Sequence, residues 1–221
     1  MTTSHRPKYS TADLVHRYPS LAPLDGDLQR GFELLRTTLA NNHKILVCGN
    51  GGSAADAEHI VGELMKSFSC KRPIPAADRE RLLALAPDAG PLADALEVGL
   101  PAVSLVSQIG LMTAFANDVD FVYGFAQQVY GLAQPGDALI AISTSGNSKN
   151  VVNACRVARM RGVSVLGLTG QSGGRMSDYC DVVIRAPETQ TQYIQELHLP
   201  IYHWRCLALD DHFFGERGLR S

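Results

Sequence analysis

The chain has 221 residues, 45% hydrophobic and 19% charged, which is enough to bury a sizeable core as one large domain or as a domain with an insertion. A formal charge of -2, with Lys and Arg scattered rather than clustered, lacks the electrostatic footprint of a protein that binds nucleic acid or an anionic membrane. The first twenty residues hold no apolar signal-peptide core, and the longest weakly polar stretch, residues 100–116, is interrupted by Ser104, Ser107, Gln108 and Gly110, so a cytoplasmic protein is expected.

In chain order, Leu28, Phe32, Leu35 and Leu39 recur at helical spacing, so an amphipathic helix over 24–41 closes an N-terminal helical segment spanning 10–41. Its apolar face is expected either to cover a sheet or to pair with another subunit. Ile45-Leu46-Val47 reads as the first strand. It runs into Cys48-Gly49-Asn50-Gly51-Gly52-Ser53 and then a helix over about 54–68 that ends before Pro73 and Pro75. Residues 76–99, broken by Pro87, Gly90 and Pro91, read as two short helices in an excursion between sheet elements, serving as a lid, an interface arm or a surface decoration.

Residues 102–106 form the second strand, followed by a helix that ends near Asn117-Asp118 and another over 125–133. Ala138-Leu139-Ile140-Ala141-Ile142 is a continuous apolar run, as expected of a strand buried on both faces. It stops at Ser143-Thr144-Ser145-Gly146-Asn147-Ser148, after which a helix runs to about Arg161. Residues 163–168 and 182–184 are further strands, and a last long helix runs from Thr191 to about Phe213. Strands alternating with helices imply parallel pairing through right-handed crossovers, hence a three-layer α/β/α sandwich with a mainly parallel five-stranded sheet. Cys48, Cys70, Cys155, Cys180 and Cys206 are odd in number, form no C-x-x-C pair and read as reduced packing thiols.

Two turns carry ligand chemistry. The Gly49–Ser53 turn opens a helix N-terminus, where backbone dipoles favour a phosphate or a sugar oxygen. Gly49-x-Gly51-x-x-Ala54 also fits the dinucleotide fingerprint, but the acidic residue required about 20 positions on is missing: 70–75 is Cys-Lys-Arg-Pro-Ile-Pro. No nucleotide cofactor is therefore expected. The 143–148 loop offers the hydroxyls of Ser143, Thr144, Ser145 and Ser148 just before a helix, which suits a phosphate held by neutral donors; the plainer reading is an N-cap supplied by Asn147 or Ser148. His59 and Glu63, four residues apart, share one helix face. Gln195 and His203 lie on the last helix, separated on a straight helix by about 12 Å and about 80°.

Gly49-Asn50-Gly51-Gly52-Ser53, the Asp56-x-x-His59-x-x-x-Glu63 helix, Asn117-Asp118, the 143–148 loop and Ile194-Gln195-Glu196-Leu197-His198 with His203 occur in the order seen in the sugar isomerase (SIS) domain. The chain resembles most closely its phosphoheptose isomerases, which interconvert sedoheptulose 7-phosphate and a heptose 7-phosphate. The resemblance implies a single SIS domain over 1–221 and a sugar-phosphate substrate. It implies that Ser143, Thr144, Ser145 and Ser148 hold the phosphate, while Asn50, Gly51, Gly52, Glu63, Asn117, Asp118 and Gln195 contact substrate. Glu63 and His203 would be the acid/base pair, and His59, Glu63, Gln195 and His203 would hold a zinc ion in a homotetramer with active sites at subunit interfaces. The chain departs from the enterobacterial enzymes at Ala54, where they commonly have histidine, and in the excursion 76–99.

The chemistry agrees with the residues. Moving a carbonyl between C1 and C2 of an open-chain sugar needs a base for the carbon-bound proton, an acid for the oxygens and stabilisation of the enediolate. A carboxylate that ligates zinc is a weaker base, so the two roles given to Glu63 compete. The alternatives within the fold are a phosphosugar-binding regulator, a replication-initiation adaptor, or an isomerase or lyase of another sugar phosphate; the adaptors typically lack the full acid/base set.

Overall fold

A computed structural model describes residues 8–215; the expected domain span runs past this range at 1–7 and 216–221. Among the described residues, nine α-helices and five strands follow one another as α1 (Thr11–Arg17), α2 (Asp25–Ala40), β1 (Ile45–Cys48), α3 (Gly52–Met65), α4 (Ala76–Leu85), α5 (Gly90–Ala95), β2 (Ala102–Ser104), α6 (Ile109–Asp118), α7 (Gly124–Leu132), β3 (Ala138–Ile142), α8 (Lys149–Met160), β4 (Ser164–Thr169), β5 (Val182–Arg185) and α9 (Thr191–Phe214), with short 3-10 turns between some of them. The sheet order is β2-β1-β3-β4-β5 and every pairing is parallel.

Alternation within the apolar strands explains the three layers. Ile45 and Val47 of β1 and Ile140 and Ile142 of β3 face the core shared with α2, α3 and α9, while Leu46, Cys48, Leu139 and Ala141 face the core shared with α7 and α8. Both faces of each central strand are covered, so each position must be apolar and the run is continuous rather than alternating. Burying each such aliphatic side chain contributes about 1.5–3 kcal/mol. Among the described residues no helix is long and apolar enough to cross a membrane.

Of the two alternatives for the apolar face of α2, covering the sheet is the one observed: Leu28, Leu35 and Leu39 are buried in the core of this chain together with Trp204 of α9, because α2 and α9 pack on the same sheet face. A continuous stretch of exposed apolar surface runs along α6, which buries no residue and leaves Ile109 71% exposed with Leu111 also open, and past its end to Val119 and Phe121. The excursion 76–99 does hold two short helices. Its base is tied to the end of α3 through the Ser67 N–H and hydroxyl, which donate to Glu97 (2.8 and 2.6 Å).

Candidate active site

The chain leaves β1 toward β2 on one side and returns to β3 on the other, so the carboxyl ends of β1 and β3 flank the point where the strand order reverses. A crevice opens there. Two amides bridge it reciprocally: Asn50 Nδ2 donates to Asn150 Oδ1 and Asn150 Nδ2 donates to Asn50 Oδ1, both at 2.8 Å. The bridge fixes the turn after β1 against the start of α8, although the partners are 100 residues apart.

The turn after β1 depends on glycine. Gly51 adopts φ +56°, open to glycine and strained for other residues. At Gly52 a Cβ would stand 2.4 Å from Gln195 Nε2, so only a bare backbone lets the Gln195 amide reach the turn. This contact brings the N-terminal part of α9 to the opening of α3.

The hydroxyl loop after β3 is folded for something other than capping. Ser148 is the N-cap of α8 by position but makes no side-chain capping bond; its oxygen instead accepts from Ser143 Oγ at 3.1 Å. Ser145 Oγ accepts from the Asn147 N–H (3.1 Å). Gly146 (φ +64°) presses so closely on the loop after β4 that a Cβ would meet Gly173 O at 1.9 Å. That second loop supports the first: Gly170 N–H donates to Thr144 O (2.9 Å), Arg175 N–H to Asn147 Oδ1 (3.1 Å) and Met176 N–H to Gly146 O (2.9 Å). The result is a hydroxyl-lined cup at a helix N-terminus, suited to a phosphate.

The third component lies between α3 and α9. His59 Nδ1 is 3.1 Å from the Tyr202 hydroxyl, which donates to Asp56 Oδ1 at 3.2 Å. Because the hydroxyl proton goes to the carboxylate, its oxygen accepts from Nδ1–H, which leaves His59 Nε2 as a lone pair. His203 Nε2 lies 3.4 Å and Glu63 Oε1 3.2 Å from His59 Nε2. Two acceptors, His59 Nε2 and Glu63 Oε1, thus face each other, an arrangement that favours a proton or a metal cation between them. Glu63 is 13% exposed and its other oxygen accepts from Lys66 Nζ at 2.9 Å. Burial and the neighbouring His59 hold the His203 pKa below the usual imidazole value, with Glu63 opposing them. Burial raises that of Asp56 against its contacts with Tyr202 and His59.

The donors fit zinc in type, two imidazole nitrogens and a carboxylate oxygen. They also fit along two edges in spacing, since ligands about 2.0–2.1 Å from a tetrahedral ion stand about 3.3 Å apart. As the side chains stand, no three His, Cys, Asp or Glu groups among the described residues close into a metal cage. Gln195 stands against Gly52, two turns of α3 before His59.

The structure therefore gathers Asn50, Gly51, Gly52 and Gln195, the hydroxyls of 143–148, and the cluster of His59, Glu63 and His203 along the carboxyl edge of the sheet. It does not bring Asn117 and Asp118 to them. These two are exposed at the end of α6 and hydrogen-bond to each other (2.9 Å). Sequence reasoning missed Asn150, Tyr202, Asp56 as the acceptor behind Tyr202, and the support loop at 170–176; the Gly173-Gly174 pair was the available signal for that loop. It also missed the positioning role of His198, whose Nε2 lies 3.2 Å from Thr169 O beneath the hydroxyl loop.

A parallel α/β/α sandwich that opens a hydroxyl-rich anion cup and an imidazole–carboxylate cluster onto one crevice defines a sugar-phosphate-handling protein of the SIS type, and the SIS domain family matches residues 20–78 and 81–170. Phosphoheptose isomerase of Nitratidesulfovibrio vulgaris (strain Hildenborough) is 40% identical over 189 residues, covering 86% of this chain and 78% of its own length. That of Rhodospirillum rubrum is 39% identical over 202 residues, covering 91% and 93%. Among solved structures, phosphoheptose isomerase from Neisseria gonorrhoeae superposes with a TM-score of 0.71 at 32% identity, over 91% of this chain and 95% of that one. The chain belongs to the phosphoheptose isomerase family of SIS domain proteins.

Proposed function

We propose that the protein is an aldose–ketose isomerase converting sedoheptulose 7-phosphate to a D-glycero-heptose 7-phosphate of manno configuration. The observation that carries this reading is the Glu63–His59–His203 cluster, which links α3 and α9 beside a phosphate-sized hydroxyl cup. The relatives' shared name gives the substrate class. A regulator or replication adaptor of this fold has no use for a carboxylate and an imidazole held together in this way.

In this reading Ser143, Thr144, Ser145 and Ser148 hold the 7-phosphate, so that the chain's opposite end, C1 and C2, reaches α3 and α9. Glu63 takes a proton from C1 of the open-chain ketose and returns it to C2 of the enediolate. His203 relays the hydroxyl proton between O2 and O1. Lys66 Nζ donates to the other Glu63 oxygen, and the relay from His59 through Tyr202 to Asp56 orients the imidazoles. His59, Glu63 and His203, with the Gln195 amide as the further candidate donor, would hold a zinc ion that acts as a Lewis acid toward the two sugar oxygens.

We further propose a homotetramer. An apolar helix without one buried residue, α6, ends in the Asn117–Asp118 pair that stands apart from the other candidate residues of its own chain. Covering α6 with a second copy would bury that surface and offer the pair to a neighbour's crevice. Five free thiols support a reducing, cytoplasmic setting. The direct test incubates purified protein with sedoheptulose 7-phosphate, with and without a metal chelator, and measures aldose formation. Turnover is expected with the seven-carbon ketose; turnover confined to six-carbon ketose phosphates would move the substrate assignment, and none on either would favour a binding role.

A further inference from the structure

Three of the thiols share one core, between α8, the sheet and the segment that leads into β5: Cys48, Cys155 and, half-buried at its edge, Cys180. Two of them are held together by their neighbours. Arg156 of α8 stacks over the Tyr179 ring at 5.0 Å, and Arg159, one turn on, forms an ion pair with Asp181, so helix and segment are clasped around Cys155 and Cys180. Gly167 of β4 makes room for the Cys180 sulfur, since a Cβ there would stand 2.9 Å from it. The Cys180 thiol donates to Met176 O at 3.3 Å, which leaves its sulfur to accept from the Cys155 thiol. That hydrogen bond, with burial, raises the Cys155 pKa well above the usual thiol value, so Cys155 stays protonated and inert on its own. Cys48 is not a rival partner. It pairs with Ala141, which pairs with Gly167, so it lies two strand spacings, about 10 Å, from the glycine under Cys180.

We propose that Cys155 and Cys180 are a redox pair that a hydroperoxide converts into an intramolecular disulfide, loosening the hydroxyl cup that the reading above gives to the phosphate. Hydrogen peroxide oxidises the more accessible Cys180 thiol to a sulfenic acid, releasing one water. The Cys155 sulfur then attacks the Cys180 sulfur. The S–S bond forms as the S–O bond breaks, and the hydroxyl departs with the Cys155 proton as a second water. The two thiols have then lost two electrons and two protons, and the peroxide has gained them. The bond draws the sulfurs to about 2.0 Å. Cys155 is fully buried on a helix packed against the sheet, whereas 175–179 is a single 3-10 turn, so the turn is the part that moves. Oxidation also removes the Cys180 S–H that holds Met176 O, and the Met176 N–H is the donor to Gly146 O (2.9 Å) in the wall of the cup.

Full-length protein treated with hydrogen peroxide, alkylated and digested with trypsin without reductant tests the bond by mass spectrometry. Trypsin leaves the two cysteines on separate peptides, 150–156 and 176–185, so the disulfide should appear as one linked pair that dithiothreitol splits. Calorimetric titration with inorganic phosphate reads the consequence. The oxidised protein should bind about two- to tenfold more weakly than the reduced protein, the size of one lost hydrogen bond, and recover in dithiothreitol. Cys155→Ala, which keeps the Cys180 thiol, should bind phosphate as reduced wild type does, form no linked pair and lose most of the response to peroxide. Absence of the linked pair in wild type, a linked protein with unchanged phosphate affinity, or an equal peroxide response in Cys155→Ala would overturn the assignment. Reduced wild type that binds no phosphate, even where the linked pair forms, would refute the phosphate reading of the cup and the switch with it.

Discussion

Asp210→Asn is the most informative perturbation of the scaffold. Asp210 Oδ2 accepts from the N–H groups of Ser69 and Cys70, each at 2.7 Å, and from Ser69 Oγ at 3.1 Å, while Oδ1 accepts from Arg72 Nε at 2.7 Å. Whichever way an asparagine amide turns, its NH2 meets either two backbone donors or the guanidinium, and Arg72 is left as an unbalanced buried cation. Removing one partner of a buried pair costs about 3–5 kcal/mol. For a chain of this size, at about 2–4 °C per kcal/mol, that is a fall in Tm of roughly 6–20 °C. Thermal melts at fixed protein concentration measure it. The double variant Arg72→Met/Asp210→Leu should lose less than the two single changes together, because it removes both charges at once. There is a functional consequence, since Arg72 Nη1 also donates to the carbonyl of Leu64, the residue after Glu63, and Asp210 lies two turns past His203. The pair thus clamps α3 to α9, and Asp210→Asn should lower kcat well below its melting temperature. A loss of less than about 1 kcal/mol, the size expected of a solvated surface pair, would refute the reasoning.

Ser143→Ala and Ser145→Ala should each weaken phosphate binding by about 1.5–3 kcal/mol, read as a higher KM and weaker inhibition by inorganic phosphate. His203→Gln should lower kcat by about 10² to 10⁴ with phosphate inhibition little changed. Burial opposes ionisation of Asp137, but the Lys44 side chain and the N–H groups of Lys44 and Gln134 outweigh it and hold its pKa below the usual carboxylate value. Its stabilisation is therefore fully present above the unfolded-chain value near pH 4 and is lost as pH falls through the lower folded value. The Tm gap between wild type and Asp137→Asn should accordingly close in acid, whereas a gap constant from pH 7 to pH 2 would contradict that account.

The sheet and helices were legible because each strand and helix carries its own periodicity: 138–142 is apolar throughout because both its faces are covered, and the helix of 191–214 was readable to within a residue of its end. The Ser/Thr loop was legible from its composition. What escaped was set by contacts between distant residues. The Asn50–Asn150 bridge spans 100 positions and the Tyr202–Asp56 bond spans 146, and neither partner has a local pattern that names the other. The outward face of α6 was hidden for a different reason. Its apolar spacing is the same whether the helix covers a sheet or a second subunit, which is also why the sequence left both alternatives open for the face of α2. Arg205, one of several charged residues of α9, gives no sequence sign that Gly31 makes room for it.

The claim that Glu63 is the base of an aldose–ketose isomerisation is tested most directly with sedoheptulose 7-phosphate in deuterated water, comparing wild type with Glu63→Gln by NMR. The account predicts that the wild type yields the aldose with some solvent deuterium at C2, since a carboxylate carrying the transferred proton exchanges with solvent in part. It predicts that Glu63→Gln, which keeps the shape and removes the base, loses about 10² to 10⁴ in kcat with unchanged inhibition by inorganic phosphate. A Glu63→Gln protein that keeps most of the wild-type turnover would contradict it.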